Sequence, residues 1–117
     1  ADELHSTACG RVLLAALPGR ERAKLFARTT RSRKTARTVV DPDALNGLCE
    51  TIRRNGYAEV RDESRPGASS LAVPLRDASE TVFAALACAD ASESWEHVPL
   101  ERKLERLRAA AARIERH

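Results

Sequence analysis

Residues 41–60 read DPDALNGLCETIRRNGYAEV, and the fold turns on what changes at Gly56. Asp41 can accept hydrogen bonds from the free amides of a first helical turn, and Pro42 brings a φ already suited to that turn. Ala44, Leu45, Leu48, Cys49 and Ile52 then recur at three- and four-residue spacing, which predicts one apolar helix face. Asn55-Gly56 ends the helix, because glycine tolerates the left-handed conformation that closes it. Beyond Gly56 the period becomes alternating, and Tyr57–Val60 reads as a short strand. A capped helix running straight into a strand indicates a sheet with helices packed on it.

Upstream, Thr7–Leu17 reads as a helix capped by the Thr7 hydroxyl and ended by Pro18, with Cys9, Val12, Leu13, Ala16 and Leu17 on one face. A second helix, Arg20–Ala27, turns Ala23, Phe26 and Ala27 to one side. A basic loop follows over Arg28–Val40. Downstream, Arg61–Ala68 is a polar loop, and Leu71, Val73 and Leu75 mark a second strand. Pro74 within it cannot donate to a ladder, so it belongs near an edge or a bulge. Asp77–Glu80 is a turn. Val82–Ala89 is a third strand, apolar on both faces and therefore expected to be central. Asp90–Val98 is irregular, and a closing helix carries Leu100, Leu104, Leu107, Ala111 and Ile114 on one stripe. The order predicts an α+β domain with an antiparallel sheet flanked by helices, although three strands are few for so many helices.

At 117 residues the chain is expected to form a single domain over residues 1–117. Only four aromatic residues are present, Phe26, Tyr57, Phe83 and Trp95, too few for a stacking platform on single-stranded nucleic acid. No apolar run is long enough to span a bilayer, so no membrane partner is expected. Cys9, Cys49 and Cys88 are odd in number, far apart and set in apolar segments, as in a reduced, cytoplasmic protein. His5, His97 and His117 have no metal-ligand spacing to cysteine or carboxylate. Phosphate-loop, dinucleotide and nucleophile-elbow sequences are missing, so no catalytic residue, metal or cofactor is expected and the chain is not read as an enzyme. Two weaker signals stand beside this. Cys9 at a helix start could be a thiolate activated by the helix amides, or a small packed residue. Arg28, Arg31, Arg33, Lys34 and Arg37 could attract a phosphate backbone, or form a solvated loop.

The segments together resemble the C-terminal domain of IclR-type bacterial transcription regulators. His5 to Ala15, HSTACGRVLLA, is similar to that family's H-x-T/S-A-x-G-[KR]-x-L-L-A helix start. Thr35 to Leu45, TARTVVDPDAL, resembles T-x-x-T-[IV]-x-D-P-x-x-L, and Ile52 to Tyr57, IRRNGY, matches I-R-x-x-G-Y. Glu63, Pro66-Gly67 and the run Ser70 to Leu75 resemble its acidic loop and the strand that follows. Leu107 to Ile114 is like its closing helix, with the aromatic-acid catabolism branch (Pca/Pob-type) nearest.

The resemblance implies a GAF-like antiparallel sheet, incomplete here at its N-terminal side. It implies a small organic acid effector, a homodimer or tetramer, and contact with DNA only through a winged helix-turn-helix absent from this chain. The pocket it implies begins at Ala8 and Cys9, whose amides could receive a carboxylate. Val60 stands where the family often has an acid, Ala68 replaces a bulky apolar residue, and Ser69 replaces an Arg. Ser70 matches a Ser or Cys able to bond a ligand, and Ala87 and Ala89 occupy positions that are often Ser. These departures favour a roomier, less polar cavity and a partly apolar ligand over a small polyanion. The alternative is an interaction domain that dimerises without a ligand.

Overall fold

The computed structural model describes residues 4–116. A short 3-10 turn, Leu4–Ser6, leads into α1 (Ala8–Ala16), α2 (Gly19–Arg28) and α3 (Pro42–Asn55). Strands β1 (Ala58–Arg61), β2 (Ala68–Arg76) and β3 (Val82–Ala91) follow, then a single turn α4 (Ser92–Trp95) and the closing helix α5 (Leu100–Glu115). The caps are those expected from the residue types. Thr7 Oγ1 accepts from the Gly10 amide at 3.0 Å and Asp41 Oδ2 from the Ala44 amide at 2.9 Å, while Gly56 takes φ 81°.

The sheet is antiparallel in the order β1-β2-β3. Its two faces carry different helices. On one, Leu71, Val73 and Leu75 pack with Trp95, Leu107 and Ala111, which fixes α4 and α5 there. On the other, Ala58, Val60 and Ala72 lie under Ala8 and Val12 of α1. A third cluster (Leu14, Ala15, Phe26, Leu45 and Cys49) ties α1 to α2 and α3.

Helix α1 is thus covered from two directions, which corrects the single stripe expected of it. Ala8, Val12, Leu14 and Ala15 are buried, whereas Ala16 is exposed and Leu13 half-buried. On α2 the inward residues are Arg22 and Phe26, with Ala23 and Ala27 exposed. Arg22 is fully buried because its guanidinium takes over the carbonyls at the end of α1. It donates to Leu14 O at 3.2 Å and Leu17 O at 3.1 Å, and on α3 to Asn46 Oδ1 at 2.9 Å and Glu50.

Strand β3 is at the sheet's edge and not at its centre. An apolar run on both faces misled because half of it is alanine, which is too small to demand cover. Ala87 and Ala89 are exposed, and Phe83 is 57% exposed. Among the described residues nothing pairs with the far side of β3. Pro74 sits in the central strand, yet β1 pairs only as far as Ala72, and the ladder is irregular at Leu75/Arg76. Its missing N–H therefore disturbs little, as expected of an edge or bulge proline.

The β2–β3 turn is organised by Asp77, whose Oδ1 accepts from the amides of Ser79 and Thr81 at 2.8 and 3.0 Å. Within it Glu80 has φ 65°, a left-handed conformation costly for a residue with a Cβ. Glu80→Gly is expected to raise stability by about 0.5–1 kcal/mol. A urea midpoint unchanged or lowered would show that the glutamate side chain offsets the backbone cost.

Candidate functional site

The basic loop between α2 and α3 is a folded element that braces the sheet. Arg31 donates to Val40 O at 2.7 Å and Phe26 O at 2.8 Å, and Arg33 to Thr38 O at 3.0 Å. Thr35 and Thr38 reach the β1–β2 loop, bonding the carbonyls of Asp62 and Glu63. These hydrogen bonds occupy two of the five cations that the phosphate reading needed.

Glu63 is the centre of this brace. Its carboxylate forms a bidentate pair with Arg11, one contact at 3.1 Å, and accepts the Val39 amide at 3.1 Å. Arg11 is 3% exposed and also donates to His5 O at 2.8 Å. His5 Nε2 lies 2.6 Å from Ser32 O and donates there, while its Nδ1 is buried without a hydrogen-bond partner among the described residues. Gly10 is required because a Cβ would overlap the Leu4 backbone. The residues that carried the resemblance at His5, Thr7, Gly10, Arg11, Thr35, Thr38 and Glu63 therefore build a scaffold around the head of α1. Periodicity missed the Arg11–Glu63 pair, because the two charges lie far apart in sequence.

The trough that the resemblance implies falls on the α1 side of the sheet. Val60, Ser70 and Ala89 face one another in a row across the three strands, since Val60 pairs with Ser70 and Ser70 with Ala89. Ala87 shares that face through its pairing with Ala72, and Ala68 precedes Ser70 on it by two residues. Ala8 packs onto this face at the head of α1, with Cys9 beside it. The seven expected residues therefore share one side of the sheet. Ala8 and Val60 are each 1% exposed, Cys9, Ala68 and Ser70 are half-buried, and Ala87 and Ala89 are exposed. The row is therefore buried toward β1 and α1 and exposed along β3.

Its polar groups are few. Thr7 claims the Gly10 amide and, through its carbonyl, the Arg11 amide. No described residue accepts from the Ala8 and Cys9 amides, and none bonds the Ser70 hydroxyl. Burial pushes the Cys9 thiol up from its ordinary value, the direction opposite to thiolate activation. Burial likewise raises Cys49 and Cys88. Among the described residues no cluster of His, Cys, Asp or Glu could hold a metal ion, and no helix is long and apolar enough to cross a membrane.

The family model described as bacterial transcriptional regulator IclR C-terminal matches residues 1–116. The Pca regulon regulatory protein of Pseudomonas putida is 37% identical over 82 residues, 70% of this chain and 28% of that protein. The HTH-type transcriptional regulator KdgR of Escherichia coli is 31% identical over 111 residues, 95% of this chain and 42% of that protein. The chain thus spans less than half the length of these curated relatives. A crystal structure of an IclR homologue from Microbacterium hydrocarbonoxydans, complexed with 4-hydroxybenzoate, superposes with TM-score 0.81 at 30% identity, over 96% of this chain and 44% of that one. With one match along almost its whole length and these relatives beside it, the chain belongs to the IclR family of bacterial transcriptional regulators and corresponds to their C-terminal, effector-binding domain.

Proposed function

We propose that residues 1–117 form one effector-sensing domain, which binds a small organic acid, foremost an aromatic carboxylate, at the head of α1. The observation that carries this reading is the shared face of the unclaimed Ala8 and Cys9 amides and the Ser70 hydroxyl. A carboxylate can be received by the first-turn amides, where the helix dipole also favours negative charge. Val60, Ala68, Ala87 and Ala89 then offer an aryl ring small apolar contacts, and Ser70 bonds a ring substituent. That a 30% identical relative is complexed with 4-hydroxybenzoate supports the ligand class.

The domain would act in the cytoplasm within homodimers or tetramers, touching DNA through another domain. Ligand contacts that differ between two arrangements of the assembly bias the spacing of the DNA-binding domains, a coupling typically worth about 1–3 kcal/mol. The exposure of Ala87 and Ala89 favours a second reading, a ligand-independent dimerisation surface.

A thermal-shift titration with 3- and 4-hydroxybenzoate separates the two. At about 100 times its dissociation constant a ligand adds roughly 2.7 kcal/mol of stability, and Ser70→Leu is expected to abolish the gain by filling the trough. Dimers with no response to any acid in an aromatic and aliphatic panel would overturn the sensing role.

A further inference from the structure

Because β1 pairs with β2 only as far as Ala72, Val73–Arg76 have no strand on that side. The end of α3 turns at Gly56 near this gap. A cleft of about 340 Å³ remains between the back of α1, the end of α3 and the β2–β3 turn. That size lies within the range of small-molecule sites. It opens at the back of α1: Ala15 and Ala16 line it, about 10–12 Å along the helix from Ala8, and Val12, about 6 Å from Ala8 by the 1.5 Å rise per residue, is its lining residue nearest the head.

Val12, Ala15, Ile52 and Val82 supply apolar lining. The charged lining residues are Arg53, Arg76 and Glu80. Neither guanidinium has a hydrogen-bond or ion-pair partner among the described residues, although the Arg76 backbone amide donates to Glu115 at 2.7 Å. Arg11, Arg22, Arg31 and Arg108, by contrast, are all committed to carbonyls or carboxylates. Two uncommitted arginines on a cleft with an apolar lining suit a ligand with a carboxylate at one end and hydrocarbon at the other, since guanidinium matches carboxylate geometry in bidentate pairs. One acid against two cations leaves a single net positive charge, which suits a monoanion better than a dianion.

We propose that this cleft is a second ligand site, taking an amphipathic organic monocarboxylate on Arg53 and Arg76. It stands independently of the site at the head of α1. The test is a ¹⁵N-NMR titration of the full chain with benzoate and, separately, inorganic phosphate. Benzoate is expected to shift the Gly56 and Thr81 amides saturably. Arg53→Ala and Arg76→Ala, both at exposed positions, should each weaken that binding about tenfold or more, and Glu80→Gln should strengthen it. Ser70→Leu should leave it unchanged, while removing any shifts at Cys9 that report the other site. Silent Gly56 and Thr81 amides, binding indifferent to both arginines, or phosphate binding as tightly as benzoate would overturn the proposal.

Discussion

Glu63→Ala will destabilise the domain by about 3–5 kcal/mol, the cost of leaving a buried charge without its partner. Arg11 is 3% exposed and cannot reach water, while Glu63, at 14% side-chain exposure, supplies both oxygens of the pair. The same carboxylate holds the Val39 amide, so the α2–α3 loop loosens with it. Glu63→Gln should cost less, because the amide keeps an acceptor for one of these donors. Replacing both partners by apolar residues, Arg11→Met with Glu63→Leu, should recover much of the loss, since the desolvation of both ions is then avoided. Urea unfolding of the four proteins measures the series. A loss below about 1 kcal/mol for Glu63→Ala would mean that the pair is solvated and the brace is not what orders the head of α1.

Arg22→Ala is expected to cost about 3 kcal/mol, by a different route. Glu50 is half-exposed and regains water when its partner goes, so the charge itself matters little. The loss comes from Leu17 O and Asn46 Oδ1, which are left without the guanidinium, and from the space vacated by a side chain with no exposure at all. Arg22→Lys should rescue little. One ammonium cannot span carbonyls at the end of α1 and an amide on α3 together, as the planar fork does. Lysine restoring more than half of the lost stability in calorimetry would show that charge, not geometry, is what this position supplies.

Elements with local punctuation were legible in the sequence. Thr7, Asp41 with Pro42, and Gly56 act through their own backbone neighbours, so the boundaries of α1 and α3 follow from residue type alone. The turn α4 and the 3-10 turn at Leu4–Ser6 were not legible, for they are too short to show a period. Which way α1 faces was hidden too, because it is buried by the sheet on one side and by Phe26, Leu45 and Cys49 on another. Arg22 illustrates the wider limit: a basic residue on a helix reads as solvent-facing until a second helix brings carbonyls to it. The seven trough residues came from family likeness, not from pattern. Nothing in the composition of Ala87 or Ala89 distinguishes a ligand wall from ordinary strand packing, and only the ladder register reveals that they share a face with Ser70.

The margin of β3 carries one further consequence. From Val82 to Ala91 it is almost all small and apolar, with Asp90 its lone charge and no proline. Natural sheets usually blunt such a border with lysines, kinks or a covering segment, because bare peptide groups invite a matching strand. Left uncovered, this border is where two molecules would zip together and seed a ribbon. The concentration at which preparations cloud is therefore expected to follow this border strand, whose Ala84, Leu86 and Cys88 pack toward α5 while Ala87 and Ala89 stay exposed, more than the stability of the core.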